Sequence, residues 1–233
     1  MKKFLLTSAV LLALGACGSQ YEVPSRIDTQ LLREVPKDRK KQVKTALEAS
    51  TVARDSYRIA REQTRVAGDA VGLSIQELDV VTGRIWTSRV ALATARRGGA
   101  SPVLNQLEAE YADLLGVGKI ARLGLSLSRR EHELAALRER LALEESRLTD
   151  ARVELARANA VSDLDLTPQQ SVPVEDMRDS VRFYEREVEI GHRRLSDGRL
   201  RMTQARADYE SAIADARRAD GPAGSSSATT PGN

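Results

Sequence analysis

Stepping alternately by three and four residues from Val43 meets Val43, Ala46, Ser50, Ala53, Tyr57, Ala60, Thr64, Ala67, Val71, Ser74, Leu78, Val81, Ile85, Ser88, Leu92 and Ala95, and none of them is charged. In a chain that is 30% charged, such a run has one simple reading. It is a heptad seam, the stripe that a long helix turns toward a partner helix. Every second member is nearly always Ala or Ser, so that partner is expected to come close. Aromatic residues make up only 3% of the chain, and strand-type alternation is absent. The expected fold class is therefore all-α, with no material for a β domain.

The same stretch carries a second stripe. Val52, Ile59, Val66, Leu73 and Val80 recur every seven residues, well around the helix from the seam. A helix apolar on two faces is normally covered on both, so a third helix or a second copy of the chain is expected there. Arg96 and Arg97 followed by Gly98 and Gly99 mark the helix end, cations suiting the last turn and glycine the C-cap. Ser101 and Pro102 read as N-cap and first helical residue of the next helix. So short a connection makes the two helices antiparallel neighbours.

The second helix, 102–158, opens with Leu104, Leu107, Tyr111 and Leu114, then reads, after a phase slip, as Ile120, Leu123, Leu127, Arg130, Leu134, Leu137, Leu141, Glu144, Leu148, Ala151, Leu155 and Ala158. Arg130 and Glu144 interrupt that row as candidate register-setters. The slip lies among Gly116, Gly118 and Gly124, and Gly83 falls opposite Gly116 if the hairpin folds at Gly99 and Ala100. These glycines, with Gly68 and Gly72, fit either close backbone packing or a break in the helix. A third helix, 173–219, shows an uncharged row from Met177 through Val181, Tyr184, Val188, Gly191, Leu195, Gly198 and Met202 to Ala216. The expected organisation is a 37–219 helical domain with helices over 37–97, 102–158 and 173–219. It forms an elongated antiparallel hairpin plus a third long helix, a three-helix bundle or coiled coil. Residues 17–36 read as a tether with one short helix near Ile27 to Arg33. Residues 220–233, rich in Gly, Ser, Thr, Ala and Pro, read as a disordered tail.

The first residues, MKKFLLTSAVLLALGAC, place Lys2 and Lys3 before an uncharged run from Phe4 to Leu14 and then small residues. That is the layout of a secretory signal peptide over residues 1–16; a membrane span needs about 20 apolar residues. Leu14-Gly15-Ala16-Cys17 resembles the lipobox of bacterial lipoproteins, and Cys17 is the single cysteine of the chain. The resemblance implies lipidation of Cys17 by diacylglycerol, removal of the signal and acylation of the new amino terminus. Gly18 and Ser19 lack the aspartate of inner-membrane retention, so the family rule implies the outer membrane with the chain facing the periplasm. Cleavage before Cys17 leaves 34 basic against 33 acidic side chains. A balance so near neutral speaks against nucleic acid as a partner.

Little in the chain suggests catalysis. The two histidines, His132 and His192, lie on different helices. Glu131-His132-Glu133 resembles a metal cluster only in one dimension, because adjacent residues on a helix diverge. No H-E-x-x-H, P-loop, G-x-S-x-G or paired-cysteine motif occurs. The expectation is a protein without enzymatic activity, cofactor, metal or small-molecule substrate. Arg33, Lys37, Arg39, Lys40, Lys41 and Lys44 cluster just after the tether, where cations oppose the helix dipole. They suit either a solvated face or contact with anionic head groups. Trp86 and Arg97 lie near the hairpin end as candidate partner contacts, Trp86 alternatively being buried by the third helix.

Two family resemblances bear on function. Cys17 followed by Tyr21-Glu22-Val23-Pro24 and long helices is similar to the start of lipidated outer-membrane efflux channels, though the membrane strands those require are missing. The small lipidated rods that tie the outer membrane to the cell wall look closer. Their attachment uses a C-terminal lysine, whereas this chain reads Pro231-Gly232-Asn233. The expected function is a membrane-anchored periplasmic scaffold or spacer of the bacterial envelope, working through contacts with envelope proteins or itself. The alternative is an accessory subunit of a trans-envelope secretion, efflux or motility machine.

Overall fold

A computed structural model describes Ile27, residues 30–98, 101–162, Leu164 and residues 172–219. The proposed signal peptide, Cys17 and the 220–233 tail lie outside the described residues. The chain folds into four helices, α1 (Leu31–Glu34), α2 (Lys37–Gly98), α3 (Ser101–Val161) and α4 (Val174–Ala219), with no strand among the described residues. It is an all-α protein. At about 1.5 Å per residue, α2 and α3 are each roughly 90 Å long and α4 about 70 Å. Both long helices run unbroken through Gly68, Gly72, Gly116, Gly118 and Gly124, so none of these glycines is a hinge.

α3 is the central helix. α2 and α4 both pack along it and barely touch each other. The α2–α3 contact keeps one antiparallel register from base to tip. Asp150 accepts hydrogen bonds from Ser50 (2.6 Å) and Arg54 (2.8 Å), Ser74 and Ser128 share one (2.8 Å), and Arg96 pairs with Glu108 (2.8 Å). Exposed pairs of this kind are individually worth about 0–1 kcal/mol; their use is to fix which residues face each other. Close approach occurs at Gly118, where a Cβ would lie 2.7 Å from Ile85 Cδ1. Gly83 and Gly116, the expected pair, have nothing that near and face outward.

The apparent phase slip in α3 proves to be two rows, not one displaced row. The row of Leu104, Leu107, Tyr111 and Leu114 continues without interruption through Gly118, Leu125, Ser128, His132, Ala135, Ala142, Ser146 and Val153, and this row meets α2. The leucine row from Leu127 through Leu134, Leu141 and Leu148 lies on the other side and meets α4. Leu134, Leu141 and Leu195 form one buried cluster there, and Leu148, Ala151, Val181 and Tyr184 another. α4 lies close because two of its contact residues have no side chain: a Cβ at Gly191 or Gly198 would sit 2.9 Å from Leu141 Cδ1 or 2.7 Å from Leu137 Cδ1. Glu144, one expected register-setter, is buried against this contact and paired with Arg147 at 3.1 Å. Arg130 is exposed and pairs with Glu133.

The N-terminal segment is less of a tether than its composition suggests. Ile27 and Val35 are buried with Val43 of α2, Ala158, Ala160 and Val161 of α3 and Met177 of α4, with Leu31 and Leu32 packed on the cluster. Val35 has the extended backbone (ψ 138°) that a following proline favours, which turns α1 off the axis of α2. The Ile27 amide donates to Glu154 at 3.4 Å, and Glu154 is held by Arg157 at 2.8 Å. All four helices therefore meet at one end, the base. Ile27 and the residues from Gln30 onward belong to the folded body.

Ser88, on the α2 seam, is buried with its hydroxyl unpartnered. Ser88→Ala removes that group and improves helix propensity, so it is expected to raise stability by about 0.5–1 kcal/mol. The urea midpoint should move up at unchanged slope.

Candidate functional site

Three surfaces are candidates, and each follows from how α2 is packed. Only Val43, Ser50, Ala60, Ser88 and Leu92 of its 62 residues are buried. Alternate members of the inward seam are small, and a second set of larger aliphatic side chains stands outside.

The first surface is the base. Arg33, Lys37, Lys40, Lys41 and Lys44 are exposed and Arg39 is half-buried. Some of this charge has structural work: Lys40 Nζ donates to the Arg33 carbonyl (2.9 Å), closing the turn between α1 and α2, and Arg39 reaches the Asn159 carbonyl of α3 (3.4 Å). Lys44 lies 3.8 Å from Glu48. The cluster surrounds the place where the N-terminal segment enters the fold. A shallow groove of about 440 Å³ beside it is lined by Lys41, Thr45, Ala46, Ala49, Thr149 and Arg152.

The second surface is the tip. α4 runs back along α3 from the base; its Tyr209 lies against Gly124, and its remaining turns end well short of the hairpin turn. Beyond that point α2 and α3 continue as a bare two-helix arm. Val90 and Val103 are exposed there, and Trp86 (66% exposed), Leu115 and Val117 are exposed level with the last turns of α4. The expectation that a third helix buries Trp86 is not met, since α4 packs on α3 and leaves the outer face of α2 uncovered. Arg97 is exposed, one residue from the end of α2.

The third surface is the outer stripe of α2. Val52, Ile59, Val66, Leu73 and Val80 are 55–66% exposed. α4 does not cover them. Next to the stripe run Glu48, Asp55, Glu62 and Asp69, also spaced by seven. On their far side Arg65 bridges Glu62 (2.6 Å) and Asp69 (3.0 Å), and Arg58 lies 3.4 Å from Asp55. The Arg65 hydrogen bond holds the Glu62 carboxyl below its ordinary range. The stripe itself carries no charge.

Neither histidine gathers ligands. His132 is half-buried beside Gly68, where a Cβ would lie 3.5 Å from its Nε2, and His192 is exposed, 3.9 Å from Glu145. Among the described residues no group of three or more His, Cys, Asp or Glu side chains is placed to hold a metal ion. No described helix is long and apolar enough to cross a membrane. Of the tyrosines, Tyr184 is buried and Tyr57, Tyr111 and Tyr209 are half-buried, all in helix contacts as their seam positions imply. The uncovered stripe and the bare arm depend on where α4 docks, which the seam pattern of α2 does not specify. No family model matches this chain, and neither curated proteins nor solved structures give a match.

Proposed function

We propose that this chain is a lipid-anchored helical scaffold or spacer of the bacterial envelope, fixed at Cys17 to the outer membrane on its periplasmic side and acting through protein contacts without catalysis. One observation supports it above the others. The segment leading from Cys17 is packed into the base of the rod through Ile27 and Val35, at the end opposite the hairpin turn. An anchor on that segment stands the rod off the surface. The arm from Val43 to Gly98 then reaches about 80 Å from the base. The basic residues from Arg33 to Lys44 surround the anchored end, where anionic head groups add roughly 1 kcal/mol per contacting cation.

The exposed Trp86 near the tip favours the narrower reading of a subunit docking onto a trans-envelope machine, because an exposed aromatic side chain with exposed aliphatic residues close by suits an interface hot spot. Photo-crosslinking amino acids placed at Trp86 and at Arg97 in living cells test both readings. Adducts with envelope proteins or cell-wall material are expected from the tip. One reproducible protein partner selects the machine subunit; adducts with wall or self select the spacer. Adducts confined to cytoplasmic proteins overturn both.

A further inference from the structure

We propose that a second copy of this chain covers the outer stripe of α2, the two α2 helices lying parallel and in register as a coiled coil centred on Val66. The stripe has the chemistry of a seam. If Val52, Ile59, Val66, Leu73 and Val80 are taken as d positions, the a positions are Ala49, Ser56, Gln63, Ala70 and, as the one charged residue in the row, Glu77. Large β-branched or leucine side chains thus alternate with small or amide ones, with no charge from Ala49 through Leu73. A two-fold axis parallel to the helices sets each residue against its own copy, the self-complementary arrangement of an isologous dimer. Like residues suit this well: apolar d layers stack, and Gln63, an amide with both donor and acceptor, bonds to its own copy. A single polar a residue fixes coiled-coil register in this way.

Charge selects the orientation. Glu48, Asp55, Glu62 and Asp69 occupy the g positions beside the stripe. Antiparallel helices oppose g to g and would bring the two acidic rows together. Parallel helices oppose g to the partner's uncharged e positions, Ala53, Ala60, Ala67 and Ser74 on the edge that meets α3, so the acidic rows stay apart and only Glu77, near the end of the stripe, meets its own copy. The area is adequate too. Stripe side chains that are 55–66% exposed offer on the order of 100 Å² each. Ten of them in two copies reach about 1,000 Å², the threshold for a specific interface, before the a residues are added. A helix with five buried residues in 62 gains from this face what its α3 contact does not supply.

The pairing is independent of lipidation at Cys17 and is tested on the full chain expressed in cells. Single substitutions Val52→Cys, Val66→Cys and Val80→Cys are each oxidised mildly, with Arg58→Cys on the outward face and the unsubstituted chain as controls. The expected result is a disulfide-linked dimer from each stripe position alone and none above background from the controls. Dimers that form only when Val52→Cys and Val80→Cys chains are mixed mean antiparallel pairing and overturn the proposal, as do crosslinks solely to a different protein. Sedimentation of the detergent-extracted chain gives the second measurement. Ile59→Asp with Val66→Asp is expected to weaken dimerisation at least 100-fold with helical circular dichroism retained, because both side chains face outward within one copy. A wild-type monomer, or an undiminished dimer in the aspartate variant, overturns it. Loss of membrane attachment without loss of these crosslinks would bear on the anchor alone.

Discussion

Cys17→Ser is expected to move the chain from the membrane fraction to the soluble fraction, and to do so almost completely. A buried methylene contributes about 0.8 kcal/mol, so one acyl chain binds a bilayer marginally while two or more hold it stably. A cysteine carrying a diacylglycerol and an amide-linked chain lies well inside the stable regime. Serine has no thiol for that linkage, and no described helix can substitute as a span. The basic residues from Arg33 to Lys44 would then be the only remaining membrane contact. Their attraction is screened within about 8–10 Å at physiological salt, so any residual binding should wash off in high salt. The unsubstituted chain should resist the same wash and leave only with detergent. The comparison is made with residues 1–16 exchanged for an ordinary cleavable secretory signal, because removal at the lipobox follows lipidation; a processed serine variant that stays in the membrane through high salt would sink the lipoprotein reading. The same variant separates anchoring from folding, because Cys17 precedes the buried cluster that starts at Ile27 by only about ten residues, at most about 36 Å of extended chain.

What could be read from the sequence divides along a physical line. Helix ends were legible because caps are local: Arg96, Arg97 and Gly98 close α2, and α3 begins at Ser101. The contact row of α4 was legible because Met177, Val181, Tyr184 and Leu195 are large and face one neighbour. The double face of α3 was not. Its α2-facing row passes through Gly118, Ser128, His132 and Ser146, residues that hydropathy does not mark as core, while the α4-facing row is rich in leucine. The stronger signal displaced the weaker one and gave the appearance of a slip. Small residues hide an interface in this way because close backbone approach, not side-chain volume, fills it. The α2 stripe was visible from the start, but its exposure depends on α4 docking to α3, which no local pattern in α2 encodes. Ile27 to Val35 misled for a related reason. Pro24 and Pro36 bracket the segment and make it read as linker, whereas its four aliphatic residues, Ile27, Leu31, Leu32 and Val35, belong to the cluster at the base.

That cluster makes a sharp demand on Met177. The side chain is 1% exposed and sits where α4, α3, α2 and the N-terminal segment meet. Truncating a buried methionine typically costs 2–5 kcal/mol, and a carboxylate without a partner adds a desolvation penalty. Met177→Asp is therefore expected to destabilise the base by about 3–5 kcal/mol, whereas Met177→Leu, which conserves volume, should cost less than about 1.5 kcal/mol. The loss should be local. Leu92 and Leu114 lie in the two-helix arm far from the base, in a contact that Met177 does not touch. Hydrogen exchange should thus show protection falling at residues 31–43, 158–161 and 174–184, while residues 85–95 and 107–118 keep theirs. Uniform loss along the whole rod would mean that base and arm unfold as one unit, and no loss would mean that the junction is not a stability centre. The proposed function depends on the difference. A lipid-held segment that has come away from the base still retains the protein at the membrane, but it no longer fixes the direction in which the arm points. If the arm works by being held out from the surface, Met177→Asp should remove tip crosslinks from Trp86 while leaving the protein in the membrane fraction.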